Sequence, residues 1–267
     1  MNPETRSRRW QSVKRYNWKV TTGIHEIGKD NFPEKFKQVK PPCHGLRQAG
    51  TVDITTARRE QWIAIVGSRA IGQKTSDFTY ALANGLGRAG WTVVSGLARG
   101  VDSSAHQGCL ASGAPTVAVV GSGLGQLNKS SQSLAQRIVD NGCLLSEYEH
   151  QQKTTVWQLV NRSRLVVALS SALVMVDGKC DSGTMYAVRD AWRMGIPVYA
   201  TKASAAGQVL LEQPESRLPD LLKQFRLNKE EKSRLLESPL ARPLNELDHI
   251  WKLDDSSGSS NGAWRQQ

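Results

Sequence analysis

The chain has 267 residues, with 35 Lys plus Arg against 24 Asp plus Glu and a formal net charge of +11. That length suits one large domain, or one domain with a small one appended, and is ample for a buried core without a metal or disulfide staple. Apolar residues make up 39% and aromatics 6%, a globular composition, and no run of about 18 apolar residues is present, which excludes an apolar membrane-spanning helix.

The positive excess is concentrated at the start. Residues 1–61 hold 13 Lys/Arg and 6 Asp/Glu, and they read as a basic N-terminal arm and lead-in. Arg6, Arg8, Arg9, Lys14, Arg15 and Lys19 are interleaved with Trp10, Tyr16 and Trp18. Cations tracking a phosphate backbone, with aromatics for bases to stack on, suit single-stranded nucleic acid. A solubilising tail has the same composition. No apolar stretch follows the basic start, so no secretory signal is expected and the expected location is the cytoplasm.

From Trp62 onward, short β-branched runs alternate with helix-length segments. The predicted strands are 62–67, 91–96, 116–121, 143–147, 172–177 and 196–200, and the predicted helices are 76–89, 102–112, 130–141, 156–169 and 183–194. Several strands are apolar throughout, as in parallel sheets covered on both faces. Consecutive strand–helix–strand units predict an α/β fold with a doubly wound, mainly parallel sheet spanning 62–203. Residues 204–253 read as a small helical region, with Leu218, Leu221, Leu222 and Phe225 at one-face spacing, and the Ser/Gly-rich stretch 254–267 as a disordered tail.

Ligands of open α/β sheets bind beyond the carboxyl ends of the strands, where helix N-termini also point. Three predicted strands end there in Gly67, Gly96 and Gly121. The familiar phosphate motifs fit poorly. GSGLG at 121–125 has Gln126 where a dinucleotide fingerprint needs Gly, and GSRAIGQKT at 67–75 has Gln73 inserted between Gly72 and Lys74 of a Walker-like loop. No G-x-S-x-G is present. His106, four residues after Asp102, reads as an orienting or packing histidine on the same helix as a capping Asp, with a catalytic pair as the alternative. Cys43, Cys109, Cys143 and Cys180 have no zinc spacing and read as free thiols. No catalytic, metal or cofactor site is therefore expected. The same loops collect Arg69, Ser95, Arg162, Ser163, Arg164, Lys179 and Ser182, which is phosphate-binding equipment.

GSR at 67–69, SGLARGVDSSAH at 95–106, GSGL at 121–124, LLSEY at 144–148, RSRLVVALS at 162–170 and DSGT at 181–184 occur in order. Together they resemble the DNA-processing protein family DprA, also called Smf. FPEKFKQVKPPCHGLRQAG at 32–50 is similar to that family's approach to its first strand. The resemblance implies an extended Rossmann fold that binds single-stranded DNA without catalysis, acts as a homodimer, and helps load a RecA-type recombinase in natural transformation. The expected DNA- or phosphate-binding residues are Gly67, Ser68, Arg69, Ser95, Gly96, Gly121, Gly123, Arg162, Arg164, Ser182 and Gly183 on the matching motifs, with Lys129 from a segment that departs from the family. Ser163 stands for the family's Asn, GQLNKSSQ (125–132) replaces its Tyr-Pro pair, and Asp177 replaces its Glu.

Two other readings are open. One is a nucleotide-derivative sensor, or an enzyme like the phosphoribohydrolases of the same superfamily; Gly183 and Thr184 fit their phosphate loop, but Ala187 stands at the catalytic Glu. The other is a protein scaffold using Trp157, Trp192 and Trp251 as interface anchors, with core packing as their alternative fate.

Overall fold

The computed structural model describes residues 24–57, 59–212 and 240–244. The basic arm of the first 23 residues, the helical pieces expected at 218–237 and the tail from 254 lie outside the described residues.

Nine strands form one sheet: β1 (Ile24–Ile27), β2 (Leu46–Gly50), β3 (Trp62–Val66), β4 (Thr92–Ser95), β5 (Thr116–Val119), β6 (Cys143–Ser146), β7 (Ala172–Met175), β8 (Val198–Ala200) and β9 (Arg242–Pro243). Their order is β1-β2-β6-β5-β4-β3-β7-β8-β9. From β6 to β9 all neighbours are parallel; β1–β2 and β2–β6 are antiparallel. The expected doubly wound α/β class is what the chain adopts. Strands β1 and β2, from the segment read as a lead-in, continue the same sheet, and β9 closes its other end.

The helices are α1 (Gln73–Arg88), α2 (Val101–Ala111), α3 (Lys129–Asn141), α4 (Val156–Asn161), α5 (Ser163–Ala168), α6 (Thr184–Arg193) and α7 (Ala205–Glu212). Side-chain alternation along β3 explains the layering. Ile63 and Ile65 face Leu82, Leu86, Val101 and Ala105 of α1 and α2, while Trp62, Ala64 and Val66 face Val166, Met185 and Val188 of α5 and α6. A third cluster seats α3 against Ala118, Val120 and Leu144. Both faces are thus covered, which is why the strands read as unbroken apolar runs.

The chain runs from β3 through β4 and β5 to β6 in one direction, then returns through α4 and α5 to β7 on the other side of β3. The strand order therefore reverses at β3, and a crevice opens there beyond the carboxyl ends. The helix expected over 156–169 is two, joined at Arg162. Its start is set by a capping box: the Gln158 backbone N–H donates to Thr155 Oγ1 at 3.3 Å, and the Thr155 N–H donates to Gln158 Oε1 at 2.6 Å.

Candidate functional site

A cleft of about 450 Å³ occupies that crevice. Gly67–Ala70 after β3, Ala98 and Asp102 after β4, and Lys179, Ser182, Gly183 and Thr184 after β7 supply its rims, and Val156, Leu159, Val160, Arg162, Ser163 and Val166 its wall. The first two loops interlock. The Val101 N–H donates to the Ser68 carbonyl at 3.2 Å. Gly100 has φ +79°, and a Cβ on it would lie 2.3 Å from the Ser68 oxygen. Just before it, Leu97 holds φ +57°, a left-handed conformation that costs about 1–3 kcal/mol and is found at over-determined loops.

Asp102, expected as an N-cap, is not one: α2 begins at Val101 with Gly100 in the cap position. Its carboxylate accepts from the Ala98 N–H at 3.3 Å and from Arg162 Nη2 at 3.1 Å. Both partners of this ion pair are only 7% exposed at the side chain. The Arg162 guanidinium lies across Gly96, where a Cβ would fall 1.0 Å from Nη1. Gly96 is therefore glycine to admit the arginine, not to admit a ligand directly. Arg162 Nε is buried without a hydrogen-bond partner among the described residues, so the cleft floor holds a cation with unused donor capacity.

Behind this pair lies His106, fully buried on α2 as expected. The Thr116 hydroxyl donates to the Val93 carbonyl at 2.7 Å, so it accepts from His106 Nδ1–H at 2.8 Å. Nε2 has no partner. Burial, with the neighbouring Arg162 charge, holds the imidazole neutral with its pKa pushed down to about 3. It is a packing group rather than a base.

Around the floor, Arg69 and Lys179 are exposed and neither pairs with a carboxylate among the described residues. Ser182 Oγ donates to the Lys179 carbonyl at 2.7 Å, which fixes the turn into α6. A Cβ on Gly183 would meet nothing within 4 Å. The lining thus carries Arg69, Arg162 and Lys179 against the single carboxylate of Asp102, already paired. Val156 of the cleft wall is 80% exposed, and its neighbour Trp157, outside this lining, is 63% exposed.

Of the twelve expected contact residues, Gly67, Ser68, Arg69, Arg162, Ser182 and Gly183 line this cleft. The other six do not. Ser95 is buried, its Oγ donating to the Ile65 carbonyl at 2.7 Å. Gly96 is covered by Arg162. Gly121 and Gly123 are buried under residues 149–159: a Cβ on Gly123 would sit 1.9 Å from the Glu149 oxygen, and its N–H already donates to the Gln152 carbonyl at 2.8 Å. Lys129 is exposed at the start of α3, outside the cleft. Arg164 points away: Nη1 and Nη2 donate to the Glu147 carboxylate at 2.8 and 2.7 Å and Nε to the Pro41 carbonyl at 2.8 Å, so it ties the lead-in to β6. Sequence reasoning missed the Asp102 counter-ion and the exposed Val156, and named Trp157 only as an anchor for a protein partner. The Thr155–Gln158 spacing was the available signal, because it fixes where α4 starts and hence which side chains face outward.

The family model for DNA recombination-mediator protein A matches residues 23–216. The chain belongs to this family, DprA/Smf. DNA processing protein DprA of Bacillus subtilis is 28% identical over 179 residues, covering 67% of this chain and 60% of its own. DNA processing protein DprA of Streptococcus pneumoniae is 30% identical over 143 residues, covering 53% and 50%. Protein Smf of Escherichia coli is 28% identical over 174 residues, covering 60% and 46%. The match thus spans about half the length of these relatives. Among solved structures, DNA processing protein A of Helicobacter pylori, described for its single-stranded DNA binding mode, superposes with a TM-score of 0.65 at 24% identity over 85% of this chain and 94% of that one. The S. pneumoniae DprA structure gives 0.67 at 22% identity, over 87% and 75%. Both share the DprA fold with this chain. The two arginines of RSR at 162–164 do different jobs here: Arg162 charges the cleft and Arg164 braces the scaffold.

Three of the four cysteines, Cys43, Cys109 and Cys143, are buried, and Cys180 is half-buried; none of the four is in a disulfide. Burial pushes the Cys43 and Cys109 thiols up to about 12 and about 11, which leaves them unreactive at neutral pH. No group of three His, Cys, Asp or Glu side chains fit to hold a metal occurs among the described residues, and no described helix is long and apolar enough to cross a membrane.

Proposed function

We propose that this DprA/Smf chain binds single-stranded DNA along the cleft at the β3 switch point, as a non-catalytic DNA-processing factor. The observation that carries the reading is the imbalance of the cleft: Arg69, Arg162 and Lys179 face a ligand space whose one carboxylate is already held by Arg162. Guanidinium forks and an ammonium, with open glycine backbone at 183, match the sugar-phosphate chain. The DNA binding described for the H. pylori relative supports the same choice. The wider role is carried by family membership: delivery of the strand to a RecA-type recombinase by a homodimer during natural transformation.

The phosphoribohydrolase alternative finds little support, because Ala187 lines the cleft where those enzymes carry their catalytic Glu. No carboxylate is offered at that point.

A titration of single-stranded DNA, duplex DNA and RNA at two salt concentrations tests the reading. With three phosphates met, single-strand affinity falls about twentyfold between about 50 and about 200 mM salt. Arg69→Ala weakens oligo-dT binding with the fold intact. Unchanged affinity in that variant, or release of base from nucleoside monophosphates by the wild type, overturns the proposal.

A further inference from the structure

A second cleft, of about 360 Å³, adjoins the first. The two share Val160, and both are walled by α4 and α6: Thr184 and Ala187 face the first, and Tyr186, Arg189 and Arg193 the second. Trp157 stands on the second side, 63% exposed. It does not hang from a loop. It occupies the second residue of α4, whose first turn is locked by the Thr155–Gln158 capping box, with Gln158 itself buried. Among the described residues the exposed large hydrophobics are Tyr80, Val156 and Trp157, and two of those three are at this junction.

The surroundings say what such a platform meets. Lys40, Arg189 and Arg193 line the cleft with the carboxylate of Asp190, while Arg164 in its wall is already held by Glu147. The Asp190 carboxylate lies 2.8 Å from Arg189 and 3.8 Å from Arg193. The Arg189 guanidinium also sits 4.9 Å above the Tyr186 ring. An exposed indole on a capped first helical turn, flanked by net positive charge, complements a nucleobase with its phosphate. An acidic partner protein would meet the cations but leave the indole without a flat counterpart.

We infer that a single strand leaving the first cleft crosses α4 and stacks at least one base on Trp157, with the following phosphate met by Lys40 and Arg189. The inference rests on the single-stranded DNA reading of the first cleft and adds a second subsite to it. A strand too short to cross α4 does not feel this subsite; a longer one does.

The test compares oligo-dT of about 4 and about 12 nucleotides, lengths that bracket one and several contacts. Trp157→Ala, a change at an exposed side chain, binds the short oligonucleotide like wild type and the long one about tenfold more weakly. Trp157→Phe restores most of the loss, and Lys40→Gln lowers the salt slope for the long oligonucleotide by about 0.7. Arg69→Ala, in the first cleft, weakens both lengths. Equal affinity of Trp157→Ala and wild type at both lengths overturns the second subsite, and so does an equal loss at both. A change of oligomeric state in Trp157→Ala with oligonucleotide affinity intact overturns it too, by making the platform protein-facing. Failure of the wild type to bind either length sinks the first-cleft reading, and this one with it.

Discussion

The loops after β3 and after β5 begin alike, each with a glycine and a serine at the carboxyl end of a buried parallel strand, yet they end in opposite states. After β3, Gly67 and Ser68 stay half-buried and Arg69 is exposed over the cleft. After β5, the Gly123 and Gly125 amides donate to the carbonyls of Gln152 and His150, and the loop is sealed beneath the segment that follows β6. The same contrast separates Arg162 from Arg164, two residues apart. One keeps an unpartnered nitrogen at a cleft floor, and the other is fully used by Glu147 and Pro41. A glycine-rich strand end is therefore an opportunity for a ligand, and whether it stays open depends on which distant segment lies over it.

The largest test of that contrast is Arg164→Met. It strands the Glu147 carboxylate in a nearly closed site, so urea unfolding should show a loss of about 3–5 kcal/mol. The salt slope for oligonucleotide binding of the folded fraction should not move, because Arg164 faces the scaffold. A change in slope would put Arg164 back in the binding path.

Acid should act next, on the closed interior behind the cleft. The folded His106 titrates at about 3 and the unfolded one near 6.5, so below about pH 6.5 the unfolded chain binds the extra proton. Stability from this group is complete above that pH and falls by about 1.4 kcal/mol per pH unit as the pH drops toward about 3. His106→Gln should flatten that part of the profile in equilibrium unfolding, whatever it does to stability at neutral pH. An unchanged slope would mean that His106 is not held neutral.

A glycine pair then contrasts the closed loop with the open one. Gly123→Ala drives a methyl into the Glu149 and His150 carbonyls and should cost about 1–3 kcal/mol. Gly183→Ala meets no atom within 4 Å and should stay within about 0.5 kcal/mol. Thermal unfolding of the two variants side by side is sufficient; equal effects would erase the distinction between the loops.

The smallest stability effects belong to the exposed cations. Arg69→Ala and Lys129→Ala should each leave the unfolding midpoint within about 0.5 kcal/mol of wild type. Arg69→Ala should lower the salt slope of oligonucleotide binding by about 0.7, and Lys129→Ala by less, because Lys129 stands outside the cleft. The reverse ranking would move the DNA path toward α3.

Much of this molecule was legible in its residues. The unbroken apolar run Trp62–Val66 required helices on both faces of β3, and the carboxyl ends of the strands were the expected place of the crevice, although only the strand order picked out β3. The legible features are local: β-propensity, side-chain period and the direction of strand ends act over a few residues. The antiparallel edge β1–β2 was not legible, because IHEI and LRQAG carry no strong strand pattern and take their form from pairing with β6. Nor was it legible that Gly96 makes room for Arg162, that residues 149–152 close the loop after β5, or that Asp102 serves as a counter-ion rather than a cap. Each of these is decided by groups 25 to 66 residues apart in the chain. The sequence by itself determined which residue types stand at the strand ends; only the tertiary packing decided which of their amides and guanidiniums were left without an internal partner, since a buried donor binds whatever acceptor the fold brings nearest.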